Sequence, residues 1–218
     1  MLHLVYINIH THHPYADSKH LEIPNVIVSK DYLTQTPCCA GIHPWYIDEN
    51  FEKQFEALKI YVAKEGVIAV GECGLDKMNG PSLERQTMAF ERQIELAIEV
   101  QKPLVIHCVR SYSEVLTSLM RLKTDVPVVF HGFAKNWELA KSLLHHGYYL
   151  SLGPLILKGQ HEELVQNIPL DRLFLETDDK QVKISDIYAY FCHARKVDKK
   201  ELEEQITKNF TEVFNYSL

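Results

Sequence analysis

Several things are scarce in this chain of 218 residues. No stretch approaches the roughly 18 consecutive apolar residues that a membrane-spanning helix requires. The opening residues MLHLVYINIH carry no basic flank and no small-residue cleavage site, so no secretory leader is expected there. The five cysteines are odd in number and contain no CxxC pair, which argues against a disulfide framework and for reduced thiols in a cytoplasmic protein. Positive charge is also short. Lys and Arg number 23 against 29 Asp and Glu, a net charge of −6. That argues against a large basic face gripping duplex DNA by counterion release, but not against a small phosphorylated substrate or a strand end held through metal ions. Ser/Gly-rich linkers, low-complexity tracts and repeats are absent, so one compact domain over residues 1–218 is the simplest expectation.

What is present is a short apolar run followed by a helical pattern, many times over. Candidate strands are Leu4–Ile7, Val26–Val28, Cys38–Gly41, Val67–Val70, Leu104–Ile106, Val126–Phe130, Tyr148–Leu152 and Leu173–Leu175. Phe51, Phe55, Leu58 and Val62 form one helical stripe; Phe90, Ile94 and Ala97, Trp137, Ala140 and Leu143, and Leu202, Ile206, Phe210 and Val213 form others. Ser111-x-x-Glu114 reads as a capping box, and Gly147 as a helix stop. Alternating strands and helices imply parallel strands with crossover helices. Eight of them predict an α/β TIM-type (β/α)8 barrel, with the first one or two helices reduced to loops because His13–Pro37 shows no amphipathic stripe. A seven-stranded or open doubly wound sheet is the alternative.

The polar residues that follow the strands carry the functional signal. The first strand runs into His10 and His12, the third into His43, the fourth into Glu72, the fifth into His107, the sixth into His131 and the eighth into Glu176-Thr177-Asp178. Strand C-termini of such a barrel open on one face, where its chemistry resides. Imidazoles and carboxylates converging there suit divalent cations, and their number suits two ions with a bridging carboxylate. Such a pair brings the pKa of a shared water near neutrality and clamps the oxygens of an in-line phosphoryl displacement. Each residue alone has a plainer reading, such as a turn polar residue or a satisfied core histidine. His13 lies on the other side of an extended chain from His10 and His12. His3, His20, His145, His146, His161 and His193 read as structural or surface residues, and Ile187–Cys192 as helix core rather than interface.

Together the motifs Asn8-Ile9-His10-Thr11-His12, Gly41-Ile42-His43-Pro44, Gly71-Glu72-Cys73-Gly74-Leu75-Asp76, Ile106-His107-Cys108, Phe130-His131-Gly132-Phe133 and Leu175-Glu176-Thr177-Asp178 resemble the TatD family of metal-dependent hydrolases. Gln86, Phe90, Gln93 and Ala97 fit the helix that follows the GExGLD segment in that family. The resemblance implies that His10, His12 and Asp178 bind one metal, that His107 and His131 bind a second, and that Glu72 bridges. It places His43 at the substrate phosphate, and makes Asp178 the acid/base partner of the nucleophilic water, with Glu72 also in the catalytic set. The ions implied are two per chain, drawn from Zn, Mn, Mg or Ni. The activity implied is deoxyribonuclease, acting on DNA ends or single-stranded DNA, with no membrane and no obligate protein partner. Arg110 and Lys135 are the candidate phosphate contacts. Departures from the family pattern are Asn8 in place of Asp, Val109 where Arg is common, Ala134-Lys135-Asn136 after the HxF histidine, and no Pro-rich loop after LETD. Hydrolysis of an amide, lactone or phosphomonoester by the same centre is the alternative activity. A non-catalytic binding barrel is a third reading, disfavoured because every implied ligand is present.

Overall fold

The computed structural model describes residues 6–15, 20–31 and 37–217. The strands are β1 (Tyr6–Thr11), β2 (His20–Ile27), β3 (Cys38–Gly41), β4 (Val67–Asp76), β5 (Leu104–Val109), β6 (Val128–Phe130), β7 (Tyr149–Leu152) and β8 (Leu173–Leu175). The helices are α1 (Phe51–Val62), α2 (Leu83–Val100), α3 (Tyr112–Arg121), α4 (Trp137–His145), α5 (Glu162–Asn167), α6 (Ile184–Arg195) and α7 (Lys199–Phe214). The eight strands take the sheet order β1 to β8, as the (β/α)8 class requires. Among the described residues no helix lies between β1 and β3, so this edge is reduced as expected. His3, Leu4 and Val5, and parts of the His13–Pro37 segment, fall outside the described residues.

Two compact units make up the chain. One, here the terminal unit, combines Met1–Pro24 with Phe130–Leu218; the other, the inserted unit, is Asn25–Val129. In the inserted unit, β2 pairs in parallel with β3, β3 with β4 and β4 with β5. All ten residues of β4 are buried, the signature of a parallel strand covered on both faces. Phe51, Phe55, Leu58 and Val62 bury the predicted stripe of α1, and Asn50 caps it by accepting from the Lys53 amide. Burying each such side chain is worth about 1.5–3 kcal/mol.

Helix α2 also fixes polar backbone. Gln93 accepts from the Ile42 amide through Oε1 (2.8 Å) and donates to the Ile42 carbonyl through Nε2 (3.1 Å). Gln86 makes the same two-point contact with Asp76, at 2.8 and 2.9 Å. Both glutamines satisfy main-chain groups at or just past strand ends, where the ladder stops. They thereby set the directions of His43 and Asp76.

In the terminal unit β1 pairs in parallel with β2, and β7 with β8. Just beyond β8, Thr11 forms a parallel bridge with Asp178. The Asp178 amide donates to the His10 carbonyl (3.1 Å), and the His12 amide donates to the Asp178 carbonyl (3.0 Å). Gly147 ends α4 with φ 80°, as its position after the helix predicts. Ile187, Tyr188 and Phe191 of α6 are buried in core.

Two sequence expectations change. Ser111 does precede α3, but no capping box forms: its hydroxyl donates to the carbonyls of Leu75 (2.7 Å) and Val109 (2.9 Å). Glu114 instead pairs with Lys77 at 2.6 Å. Strand β4 also runs six residues beyond Val70, so Glu72 lies within a strand and not in the loop after it. No helix is long and apolar enough to cross a membrane among the described residues.

Candidate functional site

The terminal unit brings His10, His131 and Asp178 together, with one ligand atom from each within 4.8 Å of the others. His10 is buried at the end of β1, and its ring centroid lies 4.2 Å from that of His131. Asp178 Oδ1 is 3.8 Å from Nε2 of both His10 and His12. That is too long for a hydrogen bond. It is close to the spacing of two ligands on one cation, roughly 3–3.5 Å for bonds of about 2.1 Å. Asp178 adopts φ 54°, a left-handed conformation uncommon outside glycine and retained here by the two backbone bonds to β1.

Glu176, wholly buried, holds His131 in place. Its Oε1 accepts from the Gly132 amide (2.7 Å) and lies 3.3 Å from His131 Nδ1. This contact assigns the proton to Nδ1 and leaves Nε2 as the ligand atom.

The inserted unit assembles His43, Glu72 and His107, again within 4.8 Å. Glu72 Oε1 is 2.7 Å from His107 Nδ1 and 3.1 Å from His43 Nε2. Asn25 clamps Glu72 from behind: its Nδ2 donates to Oε2 (3.0 Å), and its Oδ1 accepts from the Glu72 amide (2.8 Å). His43 Nδ1 accepts from the Trp45 amide (3.1 Å), so the neutral ring carries its proton on Nε2, facing Glu72. On the far side of His107, Nε2 lies 3.3 Å from Asp76 Oδ2. Burial pushes the Asp76 carboxyl up. Hydrogen bonds from Trp45 Nε1 and the Met78 amide, together with His107, outweigh this and hold it below its ordinary value. An ionised Asp76 favours a proton on His107 Nε2 and frees Nδ1 as a ligand atom. Behind this pair, Gly74 has φ 142°, and a Cβ there would stand 2.0 Å from the His107 carbonyl oxygen. Only glycine lets β4 approach β5 so closely.

The other predicted residues are exposed or serve the fold. Arg110 is exposed in the turn after β5, with φ 53°. Lys135 is exposed before α4. His13 is exposed, as its side of the chain predicted. Asn8 turns to structural work. Its Nδ2 donates to Glu22 Oε2 (2.6 Å) and Thr177 Oγ1 (2.8 Å), and its Oδ1 accepts from the Thr177 amide (2.9 Å). The carboxyl beside Asn8 is that of Glu22 on β2. Burial pushes that carboxyl up to about 7, and the Asn8 hydrogen bond only partly offsets it. Residues to which the sequence pattern gave no role are Glu176, Asp76 and Asn25. Glu176 and Asp76 lie inside recognised motifs; Asn25 had no local signal.

The donor set tests the fit of a metal. Both groups offer imidazole nitrogen and carboxylate oxygen, the ligands of borderline divalent cations. Cys38, Cys39 and Cys73 are poor ligands: burial pushes the Cys38 thiol up to about 11 and raises those of Cys39 and Cys73 as well. The residues therefore fit a Zn-, Mn-, Co- or Ni-like ion.

Fold and donor set together define a metal-dependent hydrolase. Comparison with known proteins agrees. The family model described as TatD related DNase matches residues 17–215. The chain is 31% identical over 193 residues to the uncharacterized metal-dependent hydrolase YcfH of Escherichia coli K12, covering 80% of this chain and 72% of that protein. It is 33% identical over 145 residues to the 3'-5' ssDNA/RNA exonuclease TatD of Erwinia billingiae, covering 64% and 56%. The crystal structure of the TatD homologue YjjV from E. coli K12 superposes with a TM-score of 0.77 at 23% identity, covering 90% of this chain and 86% of that one, a likeness of fold. The chain belongs to the TatD family of metal-dependent hydrolases.

Proposed function

We propose that this protein hydrolyses phosphodiester bonds in single-stranded DNA or at DNA ends. In this reading His10, His12, His131 and Asp178 hold one divalent ion, and Glu72 and His107 hold another. The observation that carries the reading is the pair of preassembled imidazole–carboxylate groups, each with a buried carboxylate or amide orienting its ligands. Bound ions of this kind supply Lewis acidity and make water nucleophilic near neutral pH. The chain's own groups do the rest. Asp178, part-exposed, accepts the proton of the attacking water at a carboxylate oxygen. The water oxygen bonds to phosphorus, and the ester oxygen leaves with its electron pair. His43 sits at the substrate phosphate, its Nε2–H shared between Glu72 Oε1 and a phosphate oxygen. Arg110 and Lys135 supply exposed positive charge for the remaining phosphates. The choice of DNA rests on the exonuclease name of the Erwinia relative.

The test is metal analysis of protein purified without chelator, followed by Mn-dependent release of nucleotides from single-stranded DNA. Two equivalents of metal, with turnover lost in both Glu72→Gln and Asp178→Asn, are the expected result. Turnover in both pure variants refutes the ligand assignment. Hydrolysis of lactones or phosphomonoesters but not of DNA moves the same centre to the alternative substrate class.

A further inference from the structure

A 3-10 turn at Pro44–Tyr46 follows directly on His43 and exposes two aromatic side chains, Trp45 at 43% and Tyr46 at 38%. Neither is loose. Trp45 Nε1 donates to Asp76 Oδ2 at 2.6 Å, and Asp76 is the carboxylate that faces His107. The indole centroid lies 4.9 Å from that of His43 and 5.9 Å from that of His107. Tyr46 lies 5.5 Å from His43 and 6.3 Å from Trp45. Lys30 Nζ sits 4.2 Å above the Tyr46 ring and 3.1 Å from its hydroxyl. An apolar ring nearly half exposed, yet locked by a buried carboxylate beside His43, Glu72 and His107, calls for a ligand.

Single-stranded nucleic acid is recognised by this combination: aromatic faces on which bases stack, with nearby cations for the backbone. We infer that Trp45 and Tyr46 form a stacking platform for a nucleobase next to the scissile phosphate, and that Lys30 contacts the adjoining phosphate. This inference rests on the nuclease reading above and names how its substrate is held. Stacking tolerates any base, since every base presents a π face, so the platform favours single strands over duplex without reading sequence. The indole N–H is already committed to Asp76, which leaves the ring face as the recognition element.

The experiment compares wild type, Trp45→Ala and Trp45→Phe on oligothymidylate and on methyl p-nitrophenyl phosphate, a diester without a base. Selectivity for the oligonucleotide, as a ratio of kcat/KM, falls about tenfold or more in Trp45→Ala. Trp45→Phe keeps the ring, loses the bond to Asp76, and stays within about threefold of wild type. In a Trp137→Phe background Trp45 is the sole tryptophan, and oligothymidylate quenches its fluorescence. Lys30→Ala weakens that binding and flattens its salt dependence. Selectivity unchanged in Trp45→Ala overturns the platform while leaving the nuclease reading intact. An equal fall in both Trp45 variants assigns the effect to the Asp76 bond and also overturns it. If the wild type cleaves the small diester but neither cleaves nor is quenched by the oligonucleotide, the nuclease reading falls and the platform falls with it.

Discussion

Glu22→Gln raises stability at neutral pH, and the gain disappears in acid. Glu22 is buried on β2 and accepts a hydrogen bond from Asn8 Nδ2 at 2.6 Å. His20 Nδ1, at 3.7 Å from the other oxygen, is too far to hydrogen-bond. Burial pushes the carboxyl from 4.5 up to about 7. In the window between those values the unfolded chain ionises while the folded chain keeps its proton, so folding stability falls as pH rises and levels off above about 7. At about 1.36 kcal/mol per pH unit, the accumulated cost approaches about 3 kcal/mol. Glutamine cannot ionise, yet its Oε1 still accepts from Asn8 and its Nε2 can point toward His20. Urea denaturation of both proteins at pH 4.5 and pH 8 is the assay. The variant should match wild type at the lower pH and exceed it by about 1–3 kcal/mol at the higher. An offset that is the same at both pH values, or a less stable variant at pH 8, refutes the argument that burial of a charge is the cause.

Three further outcomes are expected. Asp76→Asn removes the carboxylate that favours a proton on His107 Nε2, and metal affinity measured by competition with a chromophoric chelator should drop about 10–100-fold while the circular dichroism spectrum is retained. Tyr188→Phe deletes a buried hydroxyl that accepts from the Ile7 amide (3.2 Å) and donates to the Ile7 carbonyl (3.1 Å), which should cost about 1–3 kcal/mol by denaturant titration. Gly74→Ala drives a methyl into the His107 carbonyl and should cost more than about 3 kcal/mol, read as a loss of soluble protein or a lowered Tm.

The sequence made the strand count and the identity of the clustered residues legible, because parallel strands bury both faces and leave their polar residues at the ends. It misplaced what depends on partners distant in sequence. Ser111 looks like a cap locally, but the Leu75 carbonyl, 36 residues away in sequence, claims its hydroxyl. Apolar periodicity ended the fourth strand at Val70, because Gly71 and Glu72 break the run. The strand continues since Asn25 and the close β4–β5 approach satisfy those residues from outside. Asn8 is the sharpest case. As a departure from the family pattern its role could not be assigned from sequence, and its side chain proves to tie Glu22 to Thr177. Trp45 carried no periodic signal at all; its significance is purely spatial.

The interlacing of residue 178 between residues 10 and 12 imposes an order of events during synthesis. His10 and His12 leave the ribosome long before Asp178 exists. A contact spanning so much chain is slow to close. On the proposed ligand assignment, the terminal unit therefore gains its ability to hold an ion late, after β8 has been made and joined to β1. A nascent chain that stalls before that point presents His10 and His12 without Asp178, and so captures metal weakly. Metal uptake thus reports that the two ends of the fold have met.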